Sequence, residues 1–311
     1  MDRFPWGHSR RFNDYSSHFR KIFSHRVQKI SVDAGFTCPN RDGNRGKGGC
    51  TYCNNDTFQP DYCHPDNSIT RQLEEGMELF SAKYPSMDYL AYFQSYSNTY
   101  APLEKLSALY GEALAHPRVR GLVVATRPDC LDGEILDYLA GLSEKTYVML
   151  ELGLESHLNR TLEAINRGHT FEESVRAIEQ AAARNIRTCA HLILGLPGES
   201  RQDMLDQART ISQLPVENIK LHQLQIHKGT VMAVQYRKNP DAFHLFTVDE
   251  YTQLVVEYLE VLTPRITVER FVSESPSQLL IAPRWGIKNF EFVARVDRRL
   301  DELQTWQGRL A

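Results

Sequence analysis

Six short apolar runs, each followed by a stretch of helical character, set the first limit on how this 311-residue chain folds. The runs are residues 27–32, 88–94, 121–126, 147–152, 186–194 and 218–226. Between them Ile69, Leu73, Met77, Phe80 and Tyr84 recur at helical spacing, as do Leu103, Leu106, Tyr110 and Leu114, while Ile135, Leu136 and Leu139 mark a third helix. Thr170 with Glu173, and Ser200 with Asp203, have the spacing of capping boxes at helix starts. Strands that alternate with helices in this way pair in parallel through helical crossovers. A closed eight-unit barrel needs two further units, which the chain beyond Gly229 does not offer. The expected fold is therefore α/β, an open six-unit (β/α)6 partial TIM barrel with a small C-terminal α/β extension. The expected boundaries are a basic N-terminal arm packed on the core (1–26), the barrel (27–230) and the extension (231–311). Within the extension lie a helix capped at Thr247, a short strand (266–271) and a last helix with Val293, Val296, Leu300 and Leu303 on one face.

Charge is informative only in its distribution. The formal net charge is −3, yet ten Lys and Arg stand against four Asp and no Glu between Met1 and Lys47. Arg3, Arg10, Arg11, Arg20, Lys21, Arg26 and Lys29 are interleaved with Phe4, Trp6, Phe12, Tyr15 and Phe19, a mixture able to contact a phosphate backbone and stack on bases. The alternative is a solvated arm whose aromatic residues anchor it on the core. No run is long and apolar enough to cross a membrane, and no signal peptide opens the chain, so a cytoplasmic protein is expected.

The chemistry concentrates in the loop after the first strand. Cys38, Cys50 and Cys53 lie there within a glycine-rich segment, and three clustered thiols in a reducing compartment point to metal or cluster ligation rather than to disulfides. Zinc sites normally close with four ligands, for which Cys63 or His64 is at hand; iron–sulfur clusters are also held by thiolates grouped in a short loop. On the loop alone both remain open, the zinc alternative being a stabilised binding module without catalysis. The other loops at the carboxyl ends of the strands hold 94–99, 126–129, 153–156, 195–199 and 227–230, and in barrel-type α/β proteins that end carries the chemistry.

The stretch from Lys29 to Cys53, with Tyr52 just before the third cysteine, resembles the cluster loop of the radical S-adenosylmethionine (SAM) enzymes. Its long gap between the first two cysteines is similar to that of the YhcC/YtqA-type branch, which is itself similar to the elongator-like and coproporphyrinogen-oxidase-like branches. The resemblance implies a 4Fe–4S cluster on Cys38, Cys50 and Cys53, with SAM on the iron that lacks a protein ligand. One electron then cleaves SAM to a 5′-deoxyadenosyl radical that removes hydrogen from a substrate. By the same resemblance Glu155 contacts the SAM ribose and Arg167, in the Asn-Arg-Gly-His stretch, the SAM carboxylate. The fifth-strand motif from His191 through Leu194 to Gly198 and the sixth-strand Gln225 supply the adenine wall. The second strand ends in Gln94-Ser95 where the superfamily usually has Gly-Gly-Glu or Gly-Gly-Thr, and Ala125 replaces the Glu of a Glu-Thr-Arg-Pro-Asp segment, leaving Arg127 as the candidate there. A reductant such as flavodoxin or ferredoxin is implied, and a tRNA wobble-base side chain is the first expectation for the substrate, with a free small metabolite as the second.

Overall fold

A computed structural model describes residues 4–81 and 87–311. Its strands are β1 (Val27–Val32), β2 (Asp88–Phe93), β3 (Val119–Thr126), β4 (Tyr147–Glu155), β5 (Arg187–Leu194), β6 (Asn218–Gln223), β7 (Ile226–His227), β8 (Thr267–Arg270) and β9 (Leu280–Ala282). A helix at Ile69–Ser81 precedes β2; Tyr84, expected to end it, lies outside the described residues.

The main sheet runs in the order β1-β2-β3-β4-β5-β6-β8, parallel throughout, as a curled half-barrel. The expected six-unit barrel is thus corrected to seven strands. The short strand assigned to the extension docks beside β6, pairing Asn218 with Thr267 and Ile219 with Val268. It satisfies backbone groups that β6 would otherwise leave exposed at an edge. The crossover was hard to see because the β7 segment and the helix Val231–Lys238 come before its main helix, Val248–Val261. That helix packs against the helix Arg201–Ser212 as an ordinary crossover helix does. β7 pairs separately with β9 in an antiparallel ribbon.

Side chains divide by parity along each strand. Tyr89, Ala91 and Phe93, with Leu122, Val124, Leu150, Leu192 and Leu194, join the large core beneath the outer helices. Leu90, Tyr92, Val123, Ala125, Met149 and Cys189 face the inside of the half-barrel. Burial on both faces is why these strands read as nearly continuous apolar runs.

The arm closes the end of the half-barrel opposite the functional loops. Its helix Tyr15–Ile22 is capped by Asp14, which accepts from the Ser17 N–H at 3.0 Å. Phe19 meets Tyr147, at the start of β4, edge-on at 5.5 Å. Arg10 pairs with Asp297 at 3.0 Å, Arg11 with Asp301 at 2.9 Å, and Lys21 donates to the Trp6 carbonyl at 2.7 Å. Two of the arm's arginines are therefore paired with carboxylates of the last helix.

Candidate active site

Two loops, distant in sequence, are welded together at the mouth of the half-barrel. Thr51 N–H donates to the Ile165 carbonyl at 2.9 Å, the Asn166 amide donates to the Gly49 carbonyl at 2.8 Å, and the buried Asn40 amide donates to the Asn166 carbonyl at 2.5 Å. The cysteine loop is thereby fixed against the Asn-Arg-Gly-His segment, and Arg167 Nη1 donates to Cys50 Sγ at 3.4 Å.

One cavity receives Cys38, Cys50, Tyr52 and Cys53 from this loop, Gln94 after β2, Arg127 after β3, Glu155 from β4, Arg167, His191 from β5 and Gln225 after β6. Ser95 and Leu194 do not line it. Ser95 is buried behind Gln94 and Tyr96, and Leu194 lies in the outer core, so Ile193, its neighbour of opposite parity, takes the place on the cavity wall.

Two lining residues have strained backbones. Tyr96 has φ +62° and Glu155 has φ +69°, the latter where the β4–β5 register shifts after Gly153. Non-glycine residues in this region cost on the order of 1–3 kcal/mol each and gather at functional sites. Gly153 permits the local packing, since a Cβ there would lie 2.5 Å from Arg167 Nη2 and 2.7 Å from Glu155 Oε1. In its absence Arg167 Nη2 reaches the Gly153 carbonyl at 2.5 Å and Glu155 at 3.5 Å, while its Nε is buried without a partner.

Arg127 is committed differently. The Nε and Nη2 edge of its guanidinium donates to both Asp129 oxygens at 2.9 Å, and Nη1 donates to the Arg167 carbonyl at 2.7 Å, so it holds the Arg167 backbone in place. Burial works against the Asp129 charge, but Arg127 outweighs it and holds the carboxyl below its ordinary range. The Gln225 amide binds the segment after β8, accepting from Ser275 Oγ at 2.9 Å and donating to the Ser273 carbonyl at 3.4 Å.

Deeper in the half-barrel lies a charged layer that the sequence reading did not single out. Glu151, fully buried, accepts from Lys220 and Lys29, each at 2.6 Å, and contacts His191 Nε2 at 2.9 Å. Glu269 contacts Lys29 at 2.6 Å and Lys220 at 3.1 Å, which balances two carboxylates with two ammonium groups. Burial alone would raise the Glu151 carboxyl, but Lys220 and Lys29, helped by His191, hold it well below the usual range. Burial keeps His191 neutral against the pull of Glu151. Glu151, Cys189 and His191 bring ligand atoms within 4.8 Å of one another, but the carboxylate is already taken up by two cations. The signal in the sequence was the charge itself: Lys29, Glu151 and Lys220 stand within strands on the inner parity.

Three cysteine thiols from one loop opening on one cavity are a donor set that suits an iron–sulfur cluster. Among the described residues, Glu151, Cys189 and His191 form the one group of three such ligand atoms mutually within 4.8 Å, and the three loop thiols are not all that close to one another. Cys63 faces elsewhere. Its thiol donates to the Ser31 carbonyl at 3.1 Å and is pushed up to about 12 by burial and by Asp33, and neither it nor the exposed His64 lines the cavity.

Residues 40–211 match the Radical SAM superfamily model, and residues 216–302 match that of the Radical_SAM C-terminal domain. The chain belongs to the radical SAM superfamily. It is an enzyme of that class, whose cofactors are a 4Fe–4S cluster and SAM. It is 36% identical to the uncharacterized protein YtqA of Bacillus subtilis over 98% of this chain and 95% of that one. It is 34% identical to Protein YhcC of Escherichia coli over 93% of this chain and 92% of the other. Among solved structures, the archaeal Methanocaldococcus infernus Elp3 lacking its N-terminus superposes with a TM-score of 0.68 at 14% identity, covering 90% of this chain and 64% of that one, a likeness of fold. No helix among the described residues is long and apolar enough to span a membrane.

Proposed function

We propose that Cys38, Cys50 and Cys53 hold the 4Fe–4S cluster and that the adjoining cavity binds SAM and the molecule that loses hydrogen. The observation that carries this reading is that the three thiols open onto the same cavity as Glu155 and Arg167, while Cys63 is turned away into a hydrogen bond of its own. When bound, the cluster supplies the electron that splits SAM into methionine and a 5′-deoxyadenosyl radical.

The chain's own residues bind and orient. Glu155 offers acceptors to the ribose hydroxyls, and the Arg167 guanidinium suits the SAM carboxylate while its Nη1 braces Cys50. Ile193 and Leu224 give an apolar wall for the adenine. Arg127 acts by positioning Arg167. A small electron carrier such as flavodoxin or ferredoxin is the proposed reductant. The six free cysteines suit a reducing cytoplasm.

The test is anaerobic purification followed by reduction with dithionite. About four iron and four sulfide per chain, with 5′-deoxyadenosine formed from SAM, are expected. One zinc per chain, or a cluster-replete sample that forms no 5′-deoxyadenosine, would overturn the assignment. Arg167→Gln is expected to weaken SAM binding about 10-fold or more, the cost of losing a charged hydrogen bond, as read by equilibrium binding.

For the substrate, a tRNA wobble-base side chain is favoured by the mouth of the cavity rather than by the arm. Arg41 lies over Tyr96 at 5.7 Å, and Phe58, also exposed, lines the same cavity, giving flat surfaces with a cation for an unstacked base. Three phosphate contacts to tRNA should give a log-log salt slope of roughly −2 to −3. A flat response in filter binding favours a free small metabolite instead.

A further inference from the structure

The end of the cavity formed by β6, β8 and the segment after β8 carries a charge that the chain does not balance. Arg270 lines the cavity, and its Nη2 lies over the His222 ring, 3.0 Å from Nε2 and 3.4 Å from Nδ1. Among the described residues no carboxylate pairs with it, its Nε is buried without a partner, and no protein acceptor meets Nη1. Its neighbours cannot compensate. Lys29 and Lys220 are already matched by Glu151 and Glu269, and burial together with Arg270 holds His222 neutral. Glu274, also on the lining, is exposed, and its carboxylate accepts from the Asn289 N–H at 2.8 Å.

Ser273 stands on the same lining, and its Oγ contacts His222 Nδ1. Half-buried guanidinium groups ordinarily find a negative partner, because an unpaired charge is costly away from water.

We infer that this end of the cavity is an anion subsite, where Arg270 and the Ser273 hydroxyl hold a carboxylate or phosphate group of the molecule that loses hydrogen. The inference rests on the cavity being the active site. The SAM carboxylate is the other possible source of such an anion, and the test separates the two.

Thermal unfolding of the anaerobically prepared holoprotein, without reductant, is followed in inorganic phosphate and in acetate, each against sodium chloride at equal ionic strength. At about ten times Kd the midpoint should rise by about 2–4 °C, and the more effective anion names the group. The rise should persist under saturating S-adenosylhomocysteine and vanish in Arg270→Gln. Arg270→Lys, which keeps the charge, should recover part of it. Should Arg270→Gln not fold, Ser273→Ala carries the test, with an expected loss of anion affinity of about 10-fold. No rise in the unaltered protein, an equal rise in Arg270→Gln or Ser273→Ala, or loss of the rise under S-adenosylhomocysteine overturns the inference. Iron content and 5′-deoxyadenosine formation do not enter this readout, so failure of the cluster assignment stays separate from failure of the anion subsite.

Discussion

Replacing Cys38, Cys50 or Cys53 singly with alanine is expected to abolish the brown colour, the bound iron and all 5′-deoxyadenosine formation, whereas Cys63→Ala retains all three. The asymmetry follows from where the four thiols point. The first three line the cavity mouth, and Cys50 receives N–H donors from Arg167 at 3.4 Å and from Asn40 at 3.6 Å. Cys63 spends its own proton on Ser31. Removing that bond should cost about 1 kcal/mol of stability without touching the metal. A Cys63→Ala protein without iron, or a Cys50→Ala protein with a full complement, would show that the ligands have been misassigned. Iron and acid-labile sulfide assays decide it.

The second large effect is on stability. Glu151→Gln is expected to destabilise the protein by about 3–5 kcal/mol, because it removes one of the two carboxylates that balance the largely buried Lys29 and Lys220. In thermal unfolding of the metal-free protein this corresponds to a fall of roughly 6–20 °C. Pairing the change with Lys220→Met should restore much of the loss, since fewer cations are then left without a partner. The pH dependence has a definite sign. The folded-state pKa of Glu151 is depressed, so its contribution is fully present above the ordinary carboxylate value and is lost as pH falls through the folded value. Stability of the unaltered protein should therefore drop more steeply below about pH 4.5 than that of Glu151→Gln. Equal slopes in the two proteins would mean that the carboxylate is not held ionised by its neighbours.

The alternating pattern was legible because parallel strands buried on both faces leave long apolar runs, and the first six strands lie where the pattern placed them. β8 was misjudged for a local reason. The ribbon strand β7 and the helix Val231–Lys238 lengthen the crossover, so a true unit looked like an appendage. In the cavity, residues in a recognisable string were easier to locate than residues chosen by position along a strand. Leu194 shows the difference, since a shift of one residue in a strand exchanges the cavity for the core. The Glu151 layer was missed because its members are scattered over β1, β4, β6 and β8 and meet only across the curled sheet. His191 belongs to that layer through its bond to Glu151, which gives it a structural partner beside any ligand.

The mutual grip of the two chain ends has a bearing on synthesis. Asn13 N–H is bound by Gln307, which lies 294 residues later in the sequence, and the Gln307 N–H in turn donates to the Arg11 carbonyl. On a ribosome the plug helix Tyr15–Ile22 emerges before any of the strands it will seal, and the residues that clamp its approach emerge after all of them. The approach to the plug thus stays unlatched until Gln307 has been made, and a premature stop upstream of it would remove the clamp.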